Sequence, residues 1–200
     1  MKRYVALEGV DGSGKSTVAA ALARRLADRG FEVVAVREPG GTELGEEIRR
    51  LVLHSSDMAP WAEAALFAAQ RAQLAAEVIE PALDRGAWVI SDRSYFSSLA
   101  YQGGARGLGV DAVRSLNETV LHGVVPDLVV VLEIDPEVAL RRQHDPDRIG
   151  STGVDFQTRV AETFTGLVAR DPSGVVVVSA SRDLERVVED VWTHLEVPDE

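Results

Sequence analysis

Short apolar runs alternate with longer stretches of helical spacing along the whole chain. The short runs predict strands over residues 3–7, 31–36, 87–90, 127–134 and 174–180. The longer stretches predict helices over residues 16–30, 43–53, 60–83, 95–102, 110–122, 154–170 and 182–195, with a shorter segment at 136–144. Strands that alternate with helices form a parallel sheet with right-handed crossovers. The pattern therefore predicts a doubly wound α/β fold with helices on both faces of a five-stranded sheet.

Composition adds limits to this picture. The chain has 200 residues, of which 46% are hydrophobic, and we expect one domain over residues 1–200 with a continuous core. The absence of cysteine excludes disulfides, cysteine-based zinc sites and thiol catalysis. A net charge of −11 argues against binding to nucleic acid or to an anionic membrane. Since no apolar run approaches the roughly 18 to 20 residues that span a bilayer, we expect a cytoplasmic protein.

A glycine-rich loop follows the first predicted strand. Residues 9–16, GVDGSGKS, match G-x-x-x-x-G-K-[ST] between a strand and a helix, the context in which this motif binds a nucleoside triphosphate. Backbone N–H groups would surround the phosphates, Lys15 would reach the outer ones, and Ser16 would bind Mg²⁺. A tight glycine turn with an incidental lysine is the alternative, which the flanking elements disfavour. The predicted nucleotide-binding residues are Gly9, Asp11, Gly12, Ser13, Gly14, Lys15, Ser16 and Thr17.

The loop alone does not fix the reaction, because switches, motors and kinases share it. A guanine-nucleotide switch would also need an N-K-x-D motif. The only asparagine of the chain, Asn117, is followed by Glu118. The sequence therefore excludes that class.

Two further segments follow predicted strands, and a third lies on a predicted helix. REPGGT (37–42) follows the second strand, DRSYFSSLAYQGG (92–104) follows the third, and ALFAAQRAQ (65–73) carries Phe67 and Arg71 one turn apart. Together with EGVDGSGKST (8–17), these segments resemble the thymidylate kinase family, which phosphorylates dTMP and has the P-loop NTPase fold. The motifs occur in the family's order, and the resemblance extends from the N-terminus to about residue 135.

The resemblance implies an acceptor site for dTMP. Arg37 and Arg93 would hold the acceptor phosphate, which a guanidinium can bind with two parallel hydrogen bonds. Phe67 would stack on thymine, and Arg71 would donate a hydrogen bond to a carbonyl of the base. By periodicity alone, Phe67 could equally be an ordinary core residue.

The resemblance also implies roles for residues around the sugar and the metal. Asp11 would accept a hydrogen bond from the 3′-hydroxyl of the acceptor, and Tyr101 would lie where a ribose 2′-hydroxyl would project. Ser98 and Gln102 would support them. Asp92 would bind Mg²⁺ directly or through water, with a helix cap as the alternative role.

A lid over the phosphate donor is the least regular part of the resemblance. Residues 141–153, RRQHDPDRIGSTG, form a short candidate lid, and Gly150 stands where the family commonly has glutamate. Some members of the family supply a catalytic arginine from the lid when the phosphate loop lacks one, so the resemblance implies that the lid supplies it here. Arg148 is the first candidate and Arg142 the second, with an ordinary surface charge as the alternative for either. The predicted catalytic residues are therefore Lys15, Arg93 and Arg148.

The sequence favours a kinase that converts dTMP to dTDP with ATP and Mg²⁺, and the resemblance implies a homodimer formed through helices of the first half. A deoxynucleoside kinase is the alternative enzyme. It would need a general base where this chain has REPGG, whereas Arg37 favours a monophosphate acceptor. A non-catalytic NTP-binding regulatory protein is the second alternative. It would leave Phe67, Arg71 and Tyr101 without a common purpose.

Overall fold

Five parallel strands form the centre of the computed structural model, which describes residues 3–55, 57–143, 148–171 and 174–197. The strands are β1 Tyr4–Glu8, β2 Val33–Arg37, β3 Trp88–Asp92, β4 Leu128–Glu133 and β5 Val175–Ser179. Their spatial order is β2-β3-β1-β4-β5, and every neighbouring pair is parallel. The predicted doubly wound sheet is confirmed, with strand ends that differ from the expected ones by one or two residues.

Helices connect the strands in the predicted order. Their bounds are α1 Lys15–Asp28, α2 Glu43–His54, α3 Pro60–Leu74, α4 Glu80–Asp84, α5 Tyr95–Ser98, α6 Val110–Leu121, α7 Pro136–Arg141, α8 Val154–Arg170 and α9 Leu184–Trp192. A 3₁₀ turn covers Gly150–Thr152. The segment predicted at 136–144 is helical only to Arg141, and the last helix is shorter at both ends than the predicted 182–195.

Two π-helical segments interrupt the regular helices. Ala75–Ile79 joins α3 to α4, so the helix predicted over 60–83 is continuous but widens in its second half. Pro81 has no N–H to donate to the carbonyl of Glu77, and its ring crowds that carbonyl, which accounts for the wider turn. Leu99–Ala105 continues α5 to three residues beyond the helix predicted over 95–102.

The core lies between the sheet and the helices that cover it. α1 packs against β1, β2 and β3, whereas α8 and α9 pack against β5. Leu22 and Leu26 of α1 and Phe164 of α8 are almost completely buried. This packing fixes the first turn of α1 at the carboxyl end of β1. None of the helices in the described ranges combines the length and the apolar composition that a bilayer crossing requires.

Candidate active site

The register of the sheet brings the three sequence motifs to one edge. Asp92, the last residue of β3, pairs with Leu7 of β1 on one side and with Arg37 of β2 on the other. Glu8 follows Leu7 at the end of β1, and Arg93 follows directly after β3. The phosphate loop leaves the same edge, because it follows β1. The crevice at the carboxyl ends of the strands is where doubly wound sheets bind ligands.

A cavity of about 680 Å³ opens at this edge, within the size range of small-molecule sites. Its lining includes these predicted residues: Asp11, Gly12, Ser13, Gly14, Lys15, Ser16, Thr17, Arg37, Phe67, Arg71, Asp92, Arg93, Ser98, Tyr101 and Gln102. Two of the predicted residues, Gly9 and Arg148, do not line it in the described part of the chain. Gly9 instead packs the loop against β4, where an added Cβ would lie 2.7 Å from the carbonyl oxygen of Leu132.

Lys15 is buried inside the phosphate loop. Its Nζ donates hydrogen bonds to the carbonyl oxygens of Gly9 at 3.2 Å and Val10 at 2.8 Å, and to Oγ of Ser13 at 3.4 Å. Burial lowers the pKa of Lys15 to about 8, and the charge of Arg93 acts in the same direction. An anion beside Nζ would raise that pKa again. Lys15 is therefore positioned in the loop to bind an incoming anion.

Two glycines shape the turn that leads into α1. Gly12 and Gly14 adopt φ angles of 86° and 93°, which residues with a side chain rarely adopt. Around Gly14, an added Cβ would meet no atom within 4 Å. A Cβ on Gly12 would lie only 2.1 Å from the carbonyl oxygen of Ala139 in α7. The phosphate loop thus rests directly on the main chain of the helix that precedes the predicted lid.

Asp11 and Arg93 form an ion pair at the mouth of the loop. Nη2 of Arg93 donates to Oδ1 of Asp11, and Nη1 donates to Oγ of Ser97 at 3.1 Å. The amide of Gln157 donates to the other oxygen of Asp11 at 3.0 Å. Burial acts to raise the pKa of Asp11, but the charges of Arg93 and Lys15 outweigh it and hold that pKa below its ordinary value. Asp11 is therefore ionised at neutral pH.

Arg93 itself has an unusual backbone conformation. Its φ of 78° lies in the left-handed region that few residues with side chains adopt. Its guanidinium lies 5.2 Å from the ring centroid of Tyr101. The Tyr101 hydroxyl is buried and has no hydrogen-bond partner among the described residues. Burial raises the pKa of Tyr101, so this hydroxyl stays protonated and can donate.

Ser16 and Asp92 provide oxygen atoms that suit a magnesium ion. The Ser16 hydroxyl donates to Oδ2 of Asp92, so the structure brings these two predicted metal ligands together. Mg²⁺ takes oxygen ligands and commonly combines one or two protein groups with phosphates and water. Within the described residues, no cluster of three or more His, Cys, Asp or Glu side chains forms a metal site of its own. The cap of α5 is Ser94, whose Oγ accepts from the N–H of Phe96, and this removes the capping alternative for Asp92.

The aromatic and basic residues predicted to bind the acceptor line the same cavity. Phe67 and Arg71 are buried in α3, with 8% and 2% exposure. Oγ of Ser98 accepts a hydrogen bond from Nη1 of Arg71 at 3.3 Å. Arg37 is half exposed, and its Nη2 donates to Glu46 at 2.8 Å. The structure thus brings the predicted acceptor residues into the same cavity as the phosphate loop.

Buried carboxylates that sequence reasoning missed support these residues. Glu8 is completely buried and accepts hydrogen bonds from the N–H and hydroxyl groups of Ser94 and Ser97, at 2.6 to 3.0 Å. Burial raises the pKa of Glu8, against the effect of Arg93. Glu38 lies before a cis proline and accepts from Nε of Arg71 at 2.6 Å. In the sequence, only their places within the segments EGVDGSGKST and REPGGT could have suggested these roles.

The candidate lid does not bring Arg148 to the cavity. Nη2 of Arg148 donates to Oε2 of Glu63 at 2.6 Å, and the same guanidinium binds the carbonyl oxygen of Val52 at 2.8 and 3.0 Å. Arg106 and Gln102 also donate to Glu63. Burial acts to raise the pKa of Glu63, but these donors outweigh it and lower that pKa. The buried, ionised Glu63 therefore binds Arg148, which the sequence analysis expected to contact the phosphates.

Other arginines line the cavity instead. Arg142 lies at the base of the predicted lid and donates to the carbonyl oxygen of Ala180 at 3.5 Å. Arg49 and Arg182 also line the cavity, and the sequence did not distinguish them from surface charges. Residues 144–147 of the predicted lid lie outside the described residues.

Comparisons with known proteins agree on one family. The chain matches the family model described as thymidylate kinase over residues 7–191. It is 45% identical over 199 residues to a thymidylate kinase of Bifidobacterium longum subsp. infantis, with coverage of 96% of this chain and 84% of that protein. A thymidylate kinase of Clavibacter michiganensis subsp. michiganensis is 45% identical over 196 residues, with coverage of 95% and 92%. The crystal structure of thymidylate kinase from Ehrlichia chaffeensis matches with a TM-score of 0.83 at 28% identity, covering 98% of this chain and 99% of that one.

The contact between the phosphate loop and α7 can be tested with a matched pair of glycine substitutions. Gly14→Ala introduces backbone strain alone, which costs about 1–2 kcal/mol. Gly12→Ala introduces the same strain and also forces a Cβ into the carbonyl oxygen of Ala139, which adds about 1–3 kcal/mol. Urea unfolding of the two variants should therefore show a lower free energy of unfolding for Gly12→Ala. Equal values would contradict the contact.

Proposed function

This chain belongs to the thymidylate kinase family, and we infer that it phosphorylates dTMP to dTDP, with ATP as the donor and Mg²⁺ as the cofactor. The observation that carries this proposal is the single cavity whose lining joins the phosphate loop to Arg37, Arg93 and Phe67. A triphosphate on the loop and a nucleotide on the opposite wall would meet there. Since the segments that line this cavity surround one five-stranded sheet, we also propose a single kinase domain over residues 1–200.

On the donor side, backbone N–H groups of the loop and the ammonium of Lys15 would bind the phosphates of ATP. Ser16 and Asp92 would hold Mg²⁺, a role that their contact supports. Bound Mg²⁺ neutralises negative charge that develops on the phosphoryl group during transfer. Lys15, with its pKa near 8, would share this task once its ammonium leaves the loop carbonyls for a phosphate oxygen.

On the acceptor side, Phe67 would stack on thymine and Arg71 would donate to a base carbonyl. Arg37 and Arg93 would hold the acceptor phosphate. The ionised Asp11 would accept from the 3′-hydroxyl, since a carboxylate has room for acceptor contacts beyond those to Arg93 and Gln157. These contacts would align the two phosphates, and positioning of this kind supplies most of the catalysis in phosphoryl transfer.

Tyr101 would lie against the sugar of the acceptor. Its unpartnered hydroxyl, buried near the Asp11–Arg93 pair, supports that place. Ser98 and Gln102 would act indirectly, since one holds Arg71 and the other holds Glu63.

The reaction is tested by an acceptor panel. The purified protein is incubated with ATP and Mg²⁺ and with dTMP, thymidine or no acceptor, and the products are separated by chromatography. We expect ADP and dTDP only where dTMP is present. Transfer to thymidine instead would indicate a deoxynucleoside kinase, and hydrolysis of ATP without transfer would indicate a regulatory NTPase.

We propose Arg142 as the lid arginine that neutralises charge in the transition state, in place of Arg148. Arg142→Ala should lower kcat by about 10³-fold with little change in the KM for dTMP, as for other arginines that act mainly in the transition state. Arg148→Ala should instead lower the melting temperature, because it removes one of the two arginines that balance the charge of the buried Glu63, and should change kcat less than about tenfold. Steady-state kinetics and thermal unfolding measure both. Wild-type kcat in Arg142→Ala would contradict the assignment.

The homodimer that the resemblance implies has a candidate surface. α2 and α3 pack together, and both leave apolar side chains exposed. Leu44 and Leu51 of α2 are 47% and 51% exposed, and Trp61 of α3 is 50% exposed. Ala62, Ala65 and Ala69 continue the exposed side of α3. We propose this surface, defined by these six residues, as the dimer interface, because exposed apolar surface of this kind marks association sites.

The proposed interface is tested by charge insertion. Ala65→Glu should convert the dimer to a monomer, because the carboxylate would be buried without a partner between two copies of α3. Ala20→Glu, the same change at an exposed position of α1, is the matched control and should remain dimeric. Sedimentation equilibrium measures the mass of each. A dimeric Ala65→Glu protein would exclude this interface.

A further inference from the structure

Arg71 is held from several directions at the cavity wall. Its Nε donates to Oε2 of Glu38 at 2.6 Å, and its Nη2 donates to the carbonyl oxygen of Ser94 at 3.3 Å. Its Nη1 donates to Oγ of Ser98 at 3.3 Å and to Oδ1 of Asn117 at 2.5 Å. Only 2% of Arg71 is exposed. The orientation of the guanidinium plane is therefore determined by these hydrogen-bond partners and hardly by solvent.

These contacts leave little of the guanidinium for a ligand. A guanidinium carries five N–H groups in a fixed planar arrangement. Within the described part of the chain, Nε uses its N–H, Nη1 donates to two acceptors, and Nη2 donates to one. One N–H of Nη2 is left to donate to a bound base. Its direction follows from the orientation of the whole plane.

Asn117 is the partner best suited to set that orientation. It is completely buried in α6, a helix that packs against α3, and it does not line the cavity. Its Nδ2 donates to the carbonyl oxygen of Val113 at 2.8 Å, one turn earlier in the same helix. Both the oxygen and the nitrogen of the side-chain amide are thus hydrogen-bonded. A flip of the amide would place a donor against Arg71 and an acceptor against the carbonyl of Val113.

We propose that Asn117 is a positioning residue for acceptor-base recognition: it directs the remaining N–H of Arg71 toward the base and does not touch the nucleotide. The proposal rests on the role of Arg71 in the proposed function. Because Asn117 is neutral, it orients Arg71 without adding a second negative charge to that of Glu38. Arg71 therefore keeps its attraction for a carbonyl oxygen of the ligand.

The chemical consequence is a preference between pyrimidines. Thymine has a carbonyl acceptor at position 4, whereas cytosine has an amino donor there. A fixed N–H donor binds the first and opposes the second, since a buried donor that faces a donor loses its hydrogen bond. A guanidinium free to turn could move this N–H away. The loss of Asn117 should therefore weaken dTMP binding and also reduce the preference for dTMP over dCMP.

The test compares two variants that lack the acceptor, Asn117→Ala and Asn117→Leu. In either one, the KM for dTMP should rise about tenfold and the ratio of kcat/KM for dTMP to that for dCMP should fall about tenfold, the size expected for one hydrogen bond to a charged group. The kcat with dTMP and the KM for ATP should stay near wild-type values. Asn117→Asp keeps an oxygen for Arg71 but adds a negative charge. Its preference for dTMP over dCMP should therefore lie closer to that of the wild type than the preference of the removal variants, while its KM for dTMP is raised.

Two controls separate positioning from loss of stability. Val113→Ala removes buried volume from the same helix without touching Arg71, so it should lower the melting temperature while the KM for dTMP and the base preference stay unchanged. Arg71→Lys removes the planar donor and should raise the KM for dTMP. If both removal variants keep the wild-type KM and base preference while Arg71→Lys does not, the inference about Asn117 is overturned and the role of Arg71 stands. If Arg71→Lys is also unchanged, the proposed role of Arg71 fails with it.

Discussion

A buried carboxylate at the end of β1 is the constraint on which the rest of the site depends. Glu8 is completely buried, and the transfer of an acid from water to the protein interior is costly unless hydrogen bonds compensate. Here the N–H and hydroxyl groups of Ser94 and Ser97 all donate to it. They order the turn between β3 and α5, and that turn carries Arg93. The ends of β1 and β3 are thus joined by a polar contact that also directs Arg93 toward Asp11.

The same arrangement explains how an acidic chain can bind anions. The net charge is −11, so the overall field opposes a nucleotide. Three acids of the site are each paired with a nearby arginine: Asp11 with Arg93, Glu38 with Arg71, and Glu63 with Arg106 and Arg148. Arg37, Arg49, Arg142 and Arg182 add further positive groups to the cavity lining. Local placement therefore matters more than the sum of charges, because screening weakens distant charges more than buried contacts.

Much of the fold could be predicted from the sequence, because apolar periodicity and the glycine loop are local signals. The strands, their parallel direction and the phosphate loop follow from such signals. The capture of Arg148 by Glu63 could not be predicted, since it depends on the packing of α3 against a segment 85 residues later. Glu8, Glu38 and Asn117 are similar cases, because a polar residue in a sequence carries no mark of its burial. The individual roles of the site residues in binding and catalysis stay predictions.

The close approach of Gly12 to α7 places an unusual restriction on compensating change. The atom that approaches is the main-chain oxygen of Ala139, which every amino acid carries. No exchange of the residue at position 139 can therefore make room for a side chain at position 12. Relief would have to come from a displacement of the helix axis, and the first turn of α7 is fixed by Pro136 and by the Asp135 cap. The loop and this helix are thus constrained to vary together as backbone, while the side chains around them remain free to diverge.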